Sequence, residues 1–365
     1  MGEGTRPSSP WEGCVTGIEV VSSSYHQTPP FPLSKYEKTY IQAALRELSP
    51  IRADGRSLFD YRSTALETGV ASLANGSARV NIGKTAGEES GSGAEVIAAV
   101  KLEVEDVLEG EGVDGGRIVF TVSCSPAAYP HLSSTALDDL SYDTTIILNQ
   151  CLSHPSLHPK NLTISPRRKS WSLNLDIMVL SDSGNVYDAL FLAARSALWD
   201  AKVPKTRSVQ YQPKSNILGD QDVEMSADGS GSIFNTREVA KAADFELADW
   251  WDEGEPLRVN REWPVCVTLN LVPAKSLLMY FADVTPHEEA SMPLRLLLLF
   301  SFSPSGTRLR SMRLMGDGEV QLESMTLLLE GGENHAKKLF EALGKKLEEE
   351  DLRRNQKAQV KFDLR

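Results

Sequence analysis

The sequence predicts an α/β fold in which two similar strand-plus-helix halves pack into one unit. The first observation is a strand running into a polar turn and then an apolar helix across residues 171–200. The second is that several strands followed by helices occur twice along the chain, the mark of duplicated halves. The third is size: 365 residues, 41% hydrophobic and 24% charged, supply enough apolar material for two core-bearing halves.

The central stretch is the most informative. Trp171, Leu173, Leu175, Ile177 and Val179 fall on one face at period two, and Met178 and Leu180 fall on the other. Apolar residues on both faces predict a strand buried on both sides. Ser181 to Asn185 make a polar turn, with Gly184 as its permissive residue and Asn185 or Ser183 as helix cap. Val186 to Trp199 is apolar nearly all round, which predicts a core helix. A strand delivered into such a turn at a helix N-terminus is where α/β proteins usually hold anions and place their chemistry.

In chain order, residues 1–33 are rich in Ser, Pro and Gly without a period and predict a disordered extension. Residues 34–213 form the first half. Ser34 to Glu37 reads as a capping box, and the helix behind it carries Tyr36, Tyr40, Ile41, Ala44, Leu45 and Leu48 on one stripe before Pro50. Ser63 to Val70 and Ser77 to Ile82 read as strands joined at Asn75-Gly76, a hairpin signal. The segment Lys84 to Ala94 reads as a loop insertion. Strands follow over Glu95 to Val104 and Arg117 to Cys124, then a helix over Leu137 to Leu152.

Residues 214–256 predict an acidic linker with a helical island from Thr236 to Trp251. Residues 257–350 form the second half, with strands near Val265 to Leu271, Leu277 to Asp283, Leu294 to Phe302 and Thr307 to Leu314. Two helices close it, Val320 to Leu329 and Glu333 onward. The charged tail 351–365 need not fold.

A formal net charge of −12 excludes a protein that coats nucleic acid by charge alone, while allowing local basic patches. The four cysteines, Cys14, Cys124, Cys151 and Cys266, match no metal or redox spacing and predict reduced thiols. The N-terminal ten residues hold no apolar signal core, and the most apolar run, Leu294 to Phe300, is too short to span a bilayer. A soluble intracellular protein is expected. His154 and His158 stand four apart, but Pro155 and Pro159 prevent the helix that would aim both at a metal. Glu288 and Glu289 beside Asp283 form an acidic group with a cation site and a structural turn as its alternatives. No P-loop or dinucleotide glycine pattern is present, and neither metal nor cofactor is expected.

Seven separated segments then agree in order with one family: Asp54-Gly55-Arg56, Leu66 to Thr68, Asn75 to Val80, Lys101 to Val104, Ile164 to Trp171, Val179 to Ala189, and Ala201 to Arg207. Together they resemble the ribonuclease PH family, and within it the ring subunits of the eukaryotic RNA exosome. The resemblance implies the ribonuclease PH-type fold, six such domains around a channel for single-stranded RNA, and location in nucleus, nucleolus and cytoplasm. Implied partners are other RNase PH-type ring subunits, exosome cap subunits and a catalytic exosome nuclease, with no membrane. Active members attack the RNA 3′ end with inorganic phosphate. They carry an acidic residue and a Gly-Thr-Arg run in the turn after the central strand.

Aligned without gaps, that acid falls on Ser183 and the phosphate-holding arginine on Tyr187. Serine cannot act as a carboxylate in acid–base work, and neutral tyrosine lacks the cationic fork that holds a phosphate. Each loss is worth on the order of 2–4 kcal/mol of transition-state stabilisation. Asp182 and Asp188 stand nearby; a one-residue slip would return a carboxylate, and otherwise Asp182 is a turn acceptor and Asp188 flanks the helix. The expectation is therefore a degenerate site at Asp182, Ser183 and Tyr187, in a non-catalytic channel subunit. Its rival is a phosphate-dependent 3′ to 5′ exoribonuclease. Arg167, Arg168 and Lys169 are the candidate RNA contacts, against a solvated turn. The groups Lys202, Lys205, Arg207 and Arg308, Arg310, Arg313 are weaker candidates.

Overall fold

The computed structural model describes residues 33–47, 49–83, 93–107, 116–154, 157–166, 168–210, 243–247, 254–258, 263–272, 279–292, 294–304, 306–316 and 318–363. The extension 1–32, Arg167, the acidic stretch 211–242 and the pair Trp250-Trp251 lie outside these residues.

Helix α1 (Lys35–Arg46) opens on the expected capping box, the Ser34 hydroxyl accepting from the Glu37 amide and the Glu37 carboxylate from the Ser34 amide. It buries Leu45 against Phe281, Val284 and Met292. Tyr36 and Tyr40, expected on the same inward stripe, stay exposed because the helix packs chiefly on one short neighbour and a strand of the second half.

Strands β1 (Thr64–Thr68), β2 (Gly76–Ile82), β3 (Ala94–Asp106) and β4 (Arg117–Cys124) lead to helix α2 (Ser134–Leu152). Next come β5 (Thr163–Ser165), β6 (Lys169–Ser181) and helix α3 (Val186–Asp200). The sheet order is β1-β2-β3-β6-β4, with β5 also on β6. Only the β4–β6 pair is parallel, as the crossover through α2 allows. β1 and β2 do pair as a hairpin, yet their connection is the longer segment 69–75 rather than a two-residue turn at Asn75-Gly76. Gly76 lies inside β2, where a Cβ would fall 2.5 Å from the Ala201 amide nitrogen and 2.7 Å from the Ala197 carbonyl oxygen. Its role is close packing on the end of α3.

One sequence expectation about burial does not hold. β6 buries the face carrying Trp171, Leu173, Leu175, Ile177 and Val179 along its length; on its other face Ser170 and Ser172 are buried, but Asp176 is exposed and Met178 about half exposed. The helices of this half cover one side of the sheet, so the second face stays partly open. Burial on both faces belongs instead to two strands of the second half, Val265–Val272 and Leu294–Ser303. In the latter, Leu297 and Leu299 join the core around α3, while Leu296, Leu298 and Phe300 join a second core.

Short strands link the halves: β7 (Lys202–Val203), β8 (Thr206–Gln210), β9 (Ala243–Leu247) and β10 (Glu255–Pro256), paired as β10-β7 and β8-β9. The expected helix over Thr236–Trp251 is thus replaced by strand at 243–247. Pairing with β8 satisfies the backbone there, and Phe245 reaches the Trp171 ring, so tertiary contact overrides local preference.

The second half holds β11 (Val265–Val272), β12 (Met279–Phe281), helix α4 (Pro286–Ser291), β13 (Leu294–Ser303), β14 (Gly306–Gly316) and helix α5 (Leu322–Asp363). Its antiparallel sheet runs β12-β11-β13-β14. α3 lies between the two sheets, against β2 and β3 on one side and β11 on the other, so it is buried along Val186–Leu198. The two closing helices expected from sequence are one helix of 42 residues. Gly331 and Gly332 do not end it; without side chains they let Tyr280 and Leu298 close against the helix backbone. The tail after residue 350 is likewise helical, held where the Trp199 indole donates to Asp351 (3.0 Å) and Arg354 pairs with Asp200.

Candidate functional site

The turn Asp182–Asn185 joins the carboxyl end of β6 to α3, where the two halves meet. Gly184 has φ +79°, and a Cβ there would fall 2.5 Å from the Val284 carbonyl oxygen, so both conformation and space require glycine. Asn185 is the N-cap in the left-handed region, with φ 60°, and caps through its backbone rather than its side chain. Its amide nitrogen donates to Glu289 Oε2 at 3.2 Å. The preceding amide, Gly184, donates to Asp182 Oδ1 at 2.9 Å. Asp182 Oδ2 accepts from the Tyr129 hydroxyl at 2.8 Å, and Glu289 is paired in turn with Arg295. Two consecutive amides at the mouth of α3 are therefore already bonded to the chain's own carboxylates. Burial, reinforced by the nearby Glu289 charge, pushes the Asp182 pKa up to about 6, against hydrogen bonds from Tyr129 and Gly184.

Arginines from the first half hold the turn from behind. Arg62 donates to both carboxylate oxygens of the fully buried Asp283 and to the carbonyls of Ser183 (2.6 Å), Gly184 (3.0 Å) and Val284 (3.2 Å). Arg56 adds a bond to Asp283 Oδ2 at 2.8 Å and pairs with Asp54, so the Asp54-Gly55-Arg56 segment is a fastening between the halves. Burial alone would raise the Asp283 pKa, but the hydrogen bonds and charge of Arg62, with the charge of Arg56, hold it below the ordinary carboxylate range. Arg52 forms a bidentate pair with Glu288 at 2.9 and 2.7 Å. The acidic group Glu288, Glu289 and Asp283 is thus taken up by arginines, which accounts for it as a structural turn.

The sequence candidates separate in space. Ser183 is partly exposed, while Tyr187, 3% exposed, joins the hydrophobic core and turns away from solvent. Asp188 is completely buried, accepting from the Thr268 hydroxyl (2.7 Å) and the Asn185 amide group (3.0 Å), and burial pushes its pKa up to about 7. Arg62, Asp283 and Glu289 went unrecognised as turn partners, because they stand 121, 98 and 104 residues from Ser183 or Asn185 and only folding brings them there. The DGR motif was the one local signal pointing to them.

At the opposite end of β6, Arg168 is exposed in the β5–β6 turn and Lys169 Nζ sits 5.3 Å from the Phe245 ring centroid. Arg310 and Arg313 of β14 are engaged by Ser301 and Gln150, at 2.6 and 2.7 Å. Among the described residues, no three His, Cys, Asp or Glu side chains converge as a metal set, and no helix is long and apolar enough to cross a membrane.

Residues 60–204 match the family model described as RNase PH, the 3′ exoribonuclease family, domain 1. A Dictyostelium discoideum protein whose name describes an exosome complex exonuclease, RRP42, is 26% identical over 312 residues, covering 72% of this chain and 83% of that protein. Proteins named exosome complex component Rrp42 from Methanothermobacter thermautotrophicus and Saccharolobus solfataricus are 30% and 33% identical. Those matches take in 42% of this chain and span about half, 53%, of each archaeal relative. Among solved structures, the Archaeoglobus fulgidus exosome with RNA bound to the active site superposes with TM-score 0.59 at 22% identity, covering 84% of this chain and 97% of that one. An archaeal exosome core gives 0.57 at 21% identity, covering 85% and 96%. At these identities the likeness concerns the fold, and it extends through both halves.

Proposed function

Since the chain carries an RNase PH domain over residues 60–204, has the RNase PH-type fold and is homologous to Rrp42 exosome components, we propose that it is a non-catalytic subunit of an exosome core ring. In this reading it supports 3′ to 5′ RNA processing and decay by a nuclease elsewhere in the complex. Its neighbours would be other RNase PH-type ring subunits and cap subunits, and its site of work nucleus, nucleolus and cytoplasm. Its contribution is positional. A rigid α/β body places basic side chains such as Arg168 and Lys169 along the path of a single strand.

One observation carries the proposal. The Asn185 amide at the N-terminus of α3, where such a fold would receive a phosphate, is bonded to Glu289, and the Gly184 amide to Asp182. A phosphate dianion would have to displace a carboxylate and lie against two negative charges. Ser183 and Tyr187 supply neither acid nor guanidinium, and burial of Tyr187 removes it from any substrate. Both features support an inert turn.

The alternative, a phosphate-dependent 3′ to 5′ exoribonuclease, draws on the family's name and on the retained Asp182. One assay separates them. Purified full-length protein, incubated with single-stranded RNA and inorganic phosphate, is expected to release no nucleoside diphosphates. Release that disappears in Asp182→Asn would establish the enzyme and end the inert reading.

A further inference from the structure

The end of β6 far from the degenerate turn opens into a cavity of about 250 Å³. Its wall is assembled from four separate segments. Lys160 and Thr163 come from the short 3-10 turn and β5, Trp171 from β6, Lys205 from the link between β7 and β8, and Arg258 from the residues after β10. Asn161 ties these segments together, its side-chain amide donating to the Pro256 carbonyl (3.0 Å) and its oxygen accepting from the Arg258 amide (3.3 Å). Arg258 is thereby held at the rim.

The charge pattern is the telling feature. The chain as a whole carries −12, yet among the described residues three cations line this one cavity, against one carboxylate, Glu255, which stands 4.0 Å from Arg258 in an exposed pairing. Such a pairing is worth little in water and yields readily to a better anion. Immediately beside the cavity, half-buried Phe245 packs T-shaped against the Trp171 ring (centroids 6.4 Å apart, 72°), and Lys169 Nζ sits over one face of the Phe245 ring. Cations converging on a cavity the size of a phosphate with its sugar, next to an aromatic side chain, are the combination that holds single-stranded nucleic acid without reading its sequence. Phe245 and Arg258 also lie beyond residues 60–204, so this surface uses segments outside the matched domain.

We propose that this cavity is an anchor for a backbone phosphate of single-stranded RNA, gripped by Lys160, Lys205 and Arg258, with Phe245 as the stacking surface for an adjoining base. The inference rests on the reading of the chain as an RNA-handling exosome subunit, and it supplies that subunit with a defined RNA contact.

The test is fluorescence anisotropy of a short labelled oligouridylate with the full-length protein, titrated across a salt series. The double variant Lys160→Ala/Arg258→Ala is expected to lower affinity about tenfold. It should also flatten the slope of log K against log salt by up to about 0.7, the share of one phosphate contact on a single strand. Phe245→Ala should weaken binding several-fold without altering the slope, and Glu255→Gln should strengthen it. Lys346→Ala, which removes the same charge from α5, should change nothing. Unchanged affinity and slope in the double variant would overturn the proposal, as would oligoglutamate competing as well as RNA at equal charge, or failure of the wild-type chain to bind at low salt. Co-purification of the double variant with exosome subunits distinguishes the two levels: if RNA binding is insensitive while assembly persists, only the anchor fails.

Discussion

At Asp182 the acid keeps its proton to about pH 6 in the folded chain, while an unfolded aspartate releases it near pH ~4. A folded pKa raised above the unfolded one means stability that is fully present below about pH 4 and is lost as pH rises through about 6. Asp188, raised to about 7, adds to the same trend over a slightly higher window. Asp283 opposes both: its folded pKa is depressed, so its contribution is present above the unfolded value and fades as pH falls. Asp182→Asn isolates the first of these. The asparagine oxygen still accepts from the Gly184 amide, and the Tyr129 hydroxyl can reverse to accept from the new amide group. Thermal melts from pH 4 to 8 should show wild type losing on the order of 2 kcal/mol more than the variant. Parallel curves would refute the assignment. Asp182 therefore reads best as a turn acceptor whose charge the fold tolerates rather than exploits.

Among the elements, β2 and α5 show how differently a glycine can serve. At Gly76 the backbone of α3 and the residue following it come so close that Gly76→Ala would drive a Cβ into main chain that cannot yield. The expected cost is about 1–3 kcal/mol or more, despite alanine's lower backbone entropy loss. Gly344, in the middle of α5, faces open space, so Gly344→Ala should stabilise by about 0.5–1 kcal/mol through helix propensity alone. Urea unfolding of both variants checks the pair, and a stabilised Gly76→Ala would contradict the packing described for β2. The same helix explains the ordered tail. Its last turns are charged, and an isolated segment of that kind would be marginal, but docking on Trp199 and Asp200 fixes it to the first half.

For the whole molecule, the two sheets share α3 and are fastened by Arg52, Arg56 and Arg62 reaching across to residues 282–288. Breaking a buried pair of this kind by removing one partner costs about 3–5 kcal/mol, so the halves are expected to unfold together. One face of the six-stranded sheet remains partly open, with Met178 about half exposed. Such a face fits a chain that works among neighbours. Native mass measurement of the protein isolated from cells should find it in an assembly many times its own 40.1 kDa. A monomer at endogenous concentration would refute the ring-subunit reading.

Local pattern by itself determined the α/β class, the positions of β4, β6 and α3, and the capping box of α1. These are legible because period, turn chemistry and side-chain identity act over a few residues. Tertiary structure alone decided that β11 and β13 rather than β6 are buried on both faces, that residues 243–247 form a strand, and that α5 runs unbroken past Gly331-Gly332. It alone brought Glu289 to the Asn185 amide and gathered Lys160, Lys205 and Arg258 around one cavity. The physical reason is common to all of these: each depends on a partner far along the chain, whose contact energy outweighs local preference and leaves no trace in the spacing of nearby residues.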